Sequence, residues 1–133
     1  MEKEIIPFKL GLEYENWEFE LGLCSIRFKH LDNYKYVGTG LNKFLNKTTD
    51  ETKLFFSLDI LEAVVINFKD KSMQFFKGIT SLCTSATGEL KHLFCVEQFT
   101  QFEVEVRCIY KNKDVFVIYS KKSLIEGLIK EIL

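Results

Sequence analysis

An alternating pattern in residues 102–119 constrains the fold of this chain most strongly. Every second position of its first half is apolar, at Phe102, Val104, Val106, Cys108 and Tyr110. Polar residues 111–114 follow, and then a second apolar run over 115–119. Successive side chains of a strand point to opposite faces, so a period of two indicates a half-buried strand. Two such strands joined by a short polar turn predict an antiparallel hairpin.

The aromatic content extends this expectation to the rest of the chain. The sequence holds 13 Phe, 5 Tyr and 1 Trp but a single proline, Pro7. Aromatic side chains fit the pleated, half-buried surface of a sheet. Further strands are predicted over residues 12–23, 54–58, 62–68, 73–79 and 90–96. The polar segments predicted as turns or loops are residues 32–33, 46–53 and 80–89.

Residues 54–68 have two interpretations. Apolar residues with helical spacing occur at Leu54, Leu58, Leu61 and Val65, whereas the neighbouring phenylalanines and valines favour strands. Because a polar turn over residues 69–72 follows directly, we interpret the stretch as two strands. The second strand then forms a hairpin with residues 73–79. A helix is the alternative.

Two helices complete the predicted architecture. Thr39 is placed to cap a short helix over residues 39–45, and a C-terminal helix begins at Ser120 or Ser123. The latter has one apolar stripe, made of Leu124, Ile125, Leu128, Ile129 and Ile132. We therefore expect residues 1–133 to form a single α+β domain, built mainly on an antiparallel sheet or sandwich of about eight strands.

Composition argues against several functional classes. The net charge is −1, so no overall positive field would attract nucleic acid. No apolar run approaches the ~20 residues that a membrane helix needs, and the start Met1-Glu2-Lys3-Glu4 lacks the basic region of an export signal. We expect a cytoplasmic protein without membrane contact. Its cysteines, which are Cys24, Cys83, Cys95 and Cys108, are then expected to be buried thiols.

Residues that carry out nucleophilic or metal chemistry are sparse. The histidines are His30 and His92, and no second ligand lies at metal-binding spacing from either. Cys95 is three residues from His92, on the opposite face of a predicted strand, so the two do not form a nucleophile and base. Gly38-Thr39-Gly40 could offer backbone N–H groups to an anion. It lacks the third glycine of a dinucleotide fingerprint, and we interpret it as a turn.

Paired glutamates are the remaining candidates for acid–base chemistry. Glu18 and Glu20 would project together from a strand, as would Glu103 and Glu105. Two such carboxylates could resemble a glycosidase pair. On an open strand face, however, they lack the enclosed environment that a general acid needs. The sequence therefore predicts a non-enzyme that has neither a metal nor a cofactor.

The amino end offers a candidate surface for a protein partner. Residues 1–23 contain six glutamates and two lysines, a net charge of −4, so the remaining chain carries +3. Glu15, Glu18 and Glu20 suit a basic partner, because complementary charge speeds encounter. Tyr34 and Tyr36 are amphipathic aromatics of the kind that anchor interfaces. The alternative is that the glutamates only solubilise the outer face of the sheet and block edge pairing.

Three segments carry a resemblance to a known class of proteins. They are the acidic aromatic residues 15–21, the predicted helix at 40–45 with residues 55–59 and the hairpin around 69–72, and the C-terminal helix around 123–129. In the order of these elements the chain resembles the small bacterial immunity proteins of contact-dependent growth inhibition and related toxin–antitoxin systems. The resemblance covers most of the chain as a pattern of elements, and it carries no diagnostic motif.

This resemblance implies a function without turnover. Such an immunity protein, or antitoxin, binds one cognate toxin domain and covers its active or substrate-binding surface. The alternative function is a small-ligand or nucleic-acid binding domain without catalytic activity, which would have a concave pocket or a basic groove. An enzyme would instead have a pocket lined by titratable groups with shifted pKa values.

Overall fold

The computed structural model describes residues 8, 10–23, 31–85 and 104–132 of the chain. Within these ranges the chain forms eight strands and two helices, which confirms the α+β class. The strands are β1 (Leu21–Leu23), β2 (Asp32–Tyr36), β3 (Lys43–Phe44), β4 (Lys47–Thr48), β5 (Glu51–Ser57), β6 (Ile60–Phe68), β7 (Val104–Lys111) and β8 (Asp114–Lys121). The helices are α1 (Met73–Ser85) and α2 (Lys122–Ile132).

Six of these strands form one sheet in the order β1-β2-β5-β6-β8-β7, and β3 and β4 form a separate two-stranded hairpin. Every pairing between the described strands is antiparallel. The long hairpins β5–β6 and β7–β8 form the centre and one end of the sheet, and they join through β6 and β8. The short β1 lies at the opposite end.

The prediction of two strands within residues 54–68 is confirmed, although both strands are longer than expected. Leu58 and Asp59 form the turn between them with φ of 50° and 70°, the left-handed geometry of a tight hairpin. The register shifts between Phe55 and Phe56, as at a β-bulge. Six consecutive residues of β6, from Ala63 to Phe68, are buried. Burial on both faces explains why the spacing also matched a helix.

The hairpin of β7 and β8 confirms the strongest sequence pattern. Val104, Val106, Cys108 and Tyr110 point to one face of the sheet, and Ile109 points to the other. The C-terminal helix is also confirmed as α2, in which Ile125 and Leu128 are buried against the sheet. The helix begins at Lys122, between the two predicted starts, and the Ser120 hydroxyl donates to the carbonyl of Lys121 at 2.8 Å. The predicted strand at 90–96 lies outside the described residues.

The prediction of a strand over 73–79 is wrong, because these residues begin α1. Ser72 Oγ accepts a hydrogen bond from the backbone N–H of Phe75 at 3.1 Å, which satisfies one donor of the first turn. Phe76, Ile79 and Cys83 are spaced so that they share one face, and that face packs on the sheet. The predicted loop at 80–89 is therefore helical as far as residue 85. Aromatic content was a weaker guide here than the helical spacing.

The predicted short helix over 39–45 is also wrong. Its last residues form β3, which pairs with β4 around a turn at Leu45 and Asn46, where φ is 50° and 68°. Phe44 is fully buried and stacks on Tyr119, with ring centroids 6.2 Å apart. Burial of this one aromatic fixes the hairpin on the sheet. The predicted loop at 46–53 consequently contains β4 and the start of β5, and the predicted turn at 32–33 lies within β2.

The amino-terminal segment departs furthest from prediction. Of the expected strand over 12–23, the structure retains Leu21–Leu23. Two 3-10 turns precede it, at Tyr14–Asn16 and Glu18–Glu20. An alternating pattern needs a partner strand along its length, and an isolated bridge between Glu13 and Ile60 supplies one contact only.

The sheet buries both of its faces. α2 covers one face, over a core of Leu31, Phe55, Ala63, Val65 and Ile118. The other face, which we call the aromatic face, is covered by α1, the β3–β4 hairpin and the amino-terminal segment. Its buried aromatic residues are Phe8, Trp17, Tyr36, Phe44, Phe56, Phe68 and Tyr119. None of the helices in the described ranges is both long and apolar enough to cross a membrane.

Candidate protein-binding surface

Residues 13–20, here called the acidic segment, lie across the turn between β5 and β6. The backbone N–H of Tyr14 donates to the carbonyl of Asp59 at 2.7 Å, and just before the segment Leu61 and Leu12 are joined by a 2.9 Å bond. Each 3-10 turn closes internally, with Trp17 bonded to Tyr14 at 3.0 Å and Glu20 bonded to Trp17 at 2.7 Å. These bonds satisfy backbone groups that a strand would have paired in a ladder.

Trp17 anchors the acidic segment in the aromatic face. Its side chain is only 7% exposed, and its ring lies 5.5 Å from Phe8 and 6.1 Å from Phe56, measured between centroids. Tyr14 adds a second contact, with its ring 5.6 Å from Phe56. Burial of a tryptophan and edge-to-face ring contacts are each stabilising. The segment is therefore held to the sheet by its side chains as well as its backbone.

Phe19, two residues after Trp17, points away from the sheet into solvent. It is 94% exposed, although phenylalanine is normally a core residue. It sits between Glu18 and Glu20 in the second 3-10 turn, and the N–H of Val37 donates to the carbonyl of Glu20 at 2.8 Å. A fixed backbone therefore presents an apolar ring to solvent. Leu23, Leu58 and Val37 are further exposed apolar residues in neighbouring elements, at 92%, 92% and 56%.

Carboxylates flank Phe19 in the sequence. Glu13, Glu15 and Glu18 are exposed and Glu20 is half-buried, while residues 10–23 contain no lysine, arginine or histidine. Asp32 and Asp59, both exposed, lie close enough to Tyr34 to raise its pKa. Phe19 therefore lies in a segment whose charged side chains are all carboxylates.

Tyr34 and Tyr36 take different positions. Tyr34 is half-buried with its ring 5.2 Å from Tyr14, and burial raises its pKa, with smaller contributions from Tyr14 and Asp32. Tyr36 is only 8% exposed. Its hydroxyl accepts a hydrogen bond from the N–H of Leu41 at 3.2 Å, and burial is the main cause that raises its pKa. Tyr36 is therefore buried beneath the acidic segment, whereas Tyr34 lies partly exposed beside it.

The packing around Gly38 does not favour an anion at residues 38–40. A Cβ added at Gly38 would lie 2.6 Å from the hydroxyl oxygen of Tyr36 and 2.9 Å from the carboxylate carbon of Glu20. Glycine is therefore required here for close approach. The adjacent carboxylate of Glu20 would repel an anion. The side chains of Glu20 and Tyr36 instead pack closely against Gly38, and this contact joins the acidic segment to β2.

The described residues offer little to a catalytic or metal-site interpretation. Within residues 8, 10–23, 31–85 and 104–132, no three His, Cys, Asp or Glu side chains are grouped so as to hold a metal ion. Glu105 accepts a 2.6 Å bond from the Nε of Arg107, and Glu103 lies outside the described residues. Cys95, His30 and His92 also lie outside them.

Sequence reasoning identified the acidic part of this surface but missed its apolar centre. Phe19 shares the parity of Trp17, so a strand would have buried both. The glutamates that flank Phe19 gave no signal, because a strand that buries Phe19 would also place them on its outer face. Comparison of the chain with protein-family models, with curated proteins and with solved structures gave no match.

Proposed function

We propose that this chain is a non-catalytic immunity protein that binds a cognate toxin domain through the acidic segment and covers the toxin's active or substrate-binding surface. The observation that carries the proposal is the exposure of Phe19 on a fixed backbone among carboxylates. Interfaces commonly combine an aromatic anchor that enters a pocket with a charged rim that steers the partner.

The charge of the segment favours a basic partner over a second copy of the chain. Two copies facing each other through Glu13, Glu15 and Glu18 would bring like charges together, which costs free energy. Nucleic acid would meet the same repulsion from its phosphates. A positively charged protein cleft with an apolar pocket complements both features. Many nucleic-acid cleaving surfaces have that character, and an inhibitor that fills one needs affinity and shape but no chemistry.

Of the segments that carried the resemblance, the C-terminal helix is present, whereas the helix at 40–45 and the hairpin around 69–72 are not, so the assignment to an immunity function rests on the surface. Two features of the fold are compatible with it. The acidic segment is pinned by backbone bonds, so little ordering entropy is lost on binding. Its stability rests on Trp17, which leaves Phe19 available for a partner.

The proposal predicts a toxin domain encoded in the gene next to that of this chain, and the test expresses that domain with the chain in a growth assay and in a purified binding assay. Wild-type chain should restore growth and bind the domain. Phe19→Ala should weaken affinity at least about tenfold, mainly through faster dissociation, because loss of the aromatic ring leaves its pocket on the partner empty. Glu15→Lys combined with Glu18→Lys should slow association, and the loss should shrink as salt rises.

A matched control carries the same change of charge outside the acidic segment. Asp70→Lys with Glu131→Lys alters two exposed carboxylates, one after β6 and one in α2, and we expect its association rate to remain near that of the wild type. Absence of both growth rescue and binding by the wild-type chain would reject the proposed function. Binding that is equally strong in Phe19→Ala and in both double variants would reject the acidic segment as the interface.

A further inference from the structure

Two cysteines meet where α1 packs on β7. Tyr110 of β7 stacks on Phe76 of α1 with centroids 5.4 Å apart, and its hydroxyl donates to the carbonyl of Lys71 at 2.6 Å, just before α1. These contacts fix the start of α1 over Tyr110. About two turns later the helix brings Cys83 to the same side, while Cys108 precedes Tyr110 by two residues and so shares its face.

The register of the sheet confirms that both thiols belong to one layer. Cys108 is paired with Val117 of β8, and Val117 is buried in the aromatic-face core. Cys83 is buried in that same core, and Cys108 is half-buried against it. Both carry thiols, and the two side chains are in hydrogen-bond contact. A helix and a strand that are distant in sequence therefore place two thiols side by side.

The two thiols are not equivalent. The hydrogen bond from Cys83 lowers the pKa of Cys108, against the opposing effect of burial. The same bond, together with burial, raises the pKa of Cys83. The thiol of Cys108 is therefore the easier of the two to deprotonate. Reactive cysteine pairs divide the roles of attacking and resolving thiol in this way.

We propose that Cys83 and Cys108 form a dithiol site that low-molecular-weight disulfides oxidise to an intramolecular disulfide linking α1 to β7. The thiolate of Cys108 attacks one sulfur of the small disulfide, the S–S bond breaks, and the leaving thiolate takes up a proton. Cys83 then loses its proton and attacks the Cys108 sulfur of the mixed disulfide, which releases the second small thiol. Overall, two protein thiols are oxidised and one small disulfide is reduced to two thiols.

The bridge would have a defined structural effect. It would join residue 83 to residue 108 and close the chain between them into a loop, which restricts the unfolded state. The oxidised protein should therefore resist unfolding more than the reduced protein does. This site is independent of the acidic segment, so the proposal does not rest on the proposed function.

The experiment uses the full chain with Cys24→Ser and Cys95→Ser, treated with oxidised glutathione and then alkylated. We expect a product that is lighter than the reduced protein by two hydrogen atoms, resists alkylation and yields one cross-linked peptide containing Cys83 and Cys108. Its melting temperature should rise by about 5–10 °C and return to the starting value with dithiothreitol.

Single variants separate the two steps. Cys83→Ser in this background should accumulate the glutathione adduct on Cys108, because no resolving thiol remains, and Cys108→Ser should react much more slowly. If the Cys24→Ser, Cys95→Ser variant folds poorly, the same peptide map is made on the oxidised wild-type chain. The proposal is wrong if Cys83 and Cys108 stay unbridged in both proteins, or if the cross-link forms only after denaturation.

Discussion

The acidic segment and the β7–β8 hairpin have similar alternating sequences but fold differently. In β7, Val104, Val106 and Cys108 all point to the aromatic face. In the amino-terminal segment, Trp17 is buried while Phe19, at the next position of the same parity, is almost fully exposed. Alternation therefore has different structural consequences in two parts of one molecule.

The difference lies in where the partner strand comes from. β7 meets β8 after a turn at Asn112 and Lys113, so its pairing is local and each of its residues has a partner residue in β8. Among the described residues, the acidic segment has no continuous partner strand, and its contact with a strand is the bridge between Glu13 and Ile60. It bonds to the turn at Asp59 and to Val37, and it closes two internal 3-10 turns. An alternating pattern specifies a strand only where a continuous partner exists.

The largest effect is expected at Trp17, in comparison with Phe19. A strand over residues 12–23 would have placed both side chains on the same buried face. Trp17→Ala should lower the free energy of unfolding by about 3–5 kcal/mol, because it leaves a cavity between Phe8 and Phe56. Phe19→Ala should change it by less than about 0.5 kcal/mol. Urea unfolding of both variants measures the contrast. Equal losses would mean that residues 17–20 are buried as a strand.

A smaller effect is expected at the contact that joins the acidic segment to β2. Gly38→Ala should destabilise the fold by about 1–3 kcal/mol, because its new methyl group would overlap the Tyr36 hydroxyl and Glu20. Gly40→Ala is the control, since its nearest neighbour, the Tyr36 hydroxyl oxygen, is 4.0 Å away. Neither glycine has a positive φ, so backbone strain does not distinguish them. Thermal unfolding that ranks the two variants equally would contradict the tight contact.

The smallest effect concerns the hairpin turn, and it is stabilising. Lys113 has φ of 69°, a left-handed conformation that glycine adopts at lower cost. Lys113→Gly should raise the free energy of unfolding by about 0.5–1 kcal/mol. The same change at Lys111, within β7, should lower it, since glycine weakens a strand. A loss of stability at Lys113 would show that its side chain matters more than the turn geometry.

Prediction from sequence succeeded where the interactions are close along the chain. The strands of both long hairpins and the apolar stripe of α2 follow from residues within a few positions of one another. It failed at residues 39–45 and 73–79, where helical and strand signals compete. Phe44 lies in a hairpin because Tyr119 and its neighbours bury it, and α1 forms because Phe76, Ile79 and Cys83 find one face of the sheet.

The candidate surface was predicted in part. Glu15 and Glu18 are exposed as expected, and Tyr34 borders the surface, but Tyr36 is buried beneath it. The exposure of Phe19 could not be read from its neighbours, because it depends on bonds to Asp59 and Val37, which are distant in sequence. The contact between Cys83 and Cys108 likewise depends on elements that are distant in sequence, α1 and β7.

By itself, the sequence determined the α+β class, the β7–β8 hairpin, the two strands within residues 54–68, the C-terminal helix and the acidic character of the amino end. These features follow from local periodicity and charge, which need only near neighbours. Tertiary structure decided which aromatic residues are buried, where the internal helix lies and which thiols meet. Those outcomes depend on surfaces brought together from distant parts of the chain, and a linear pattern does not encode which surface a side chain will face.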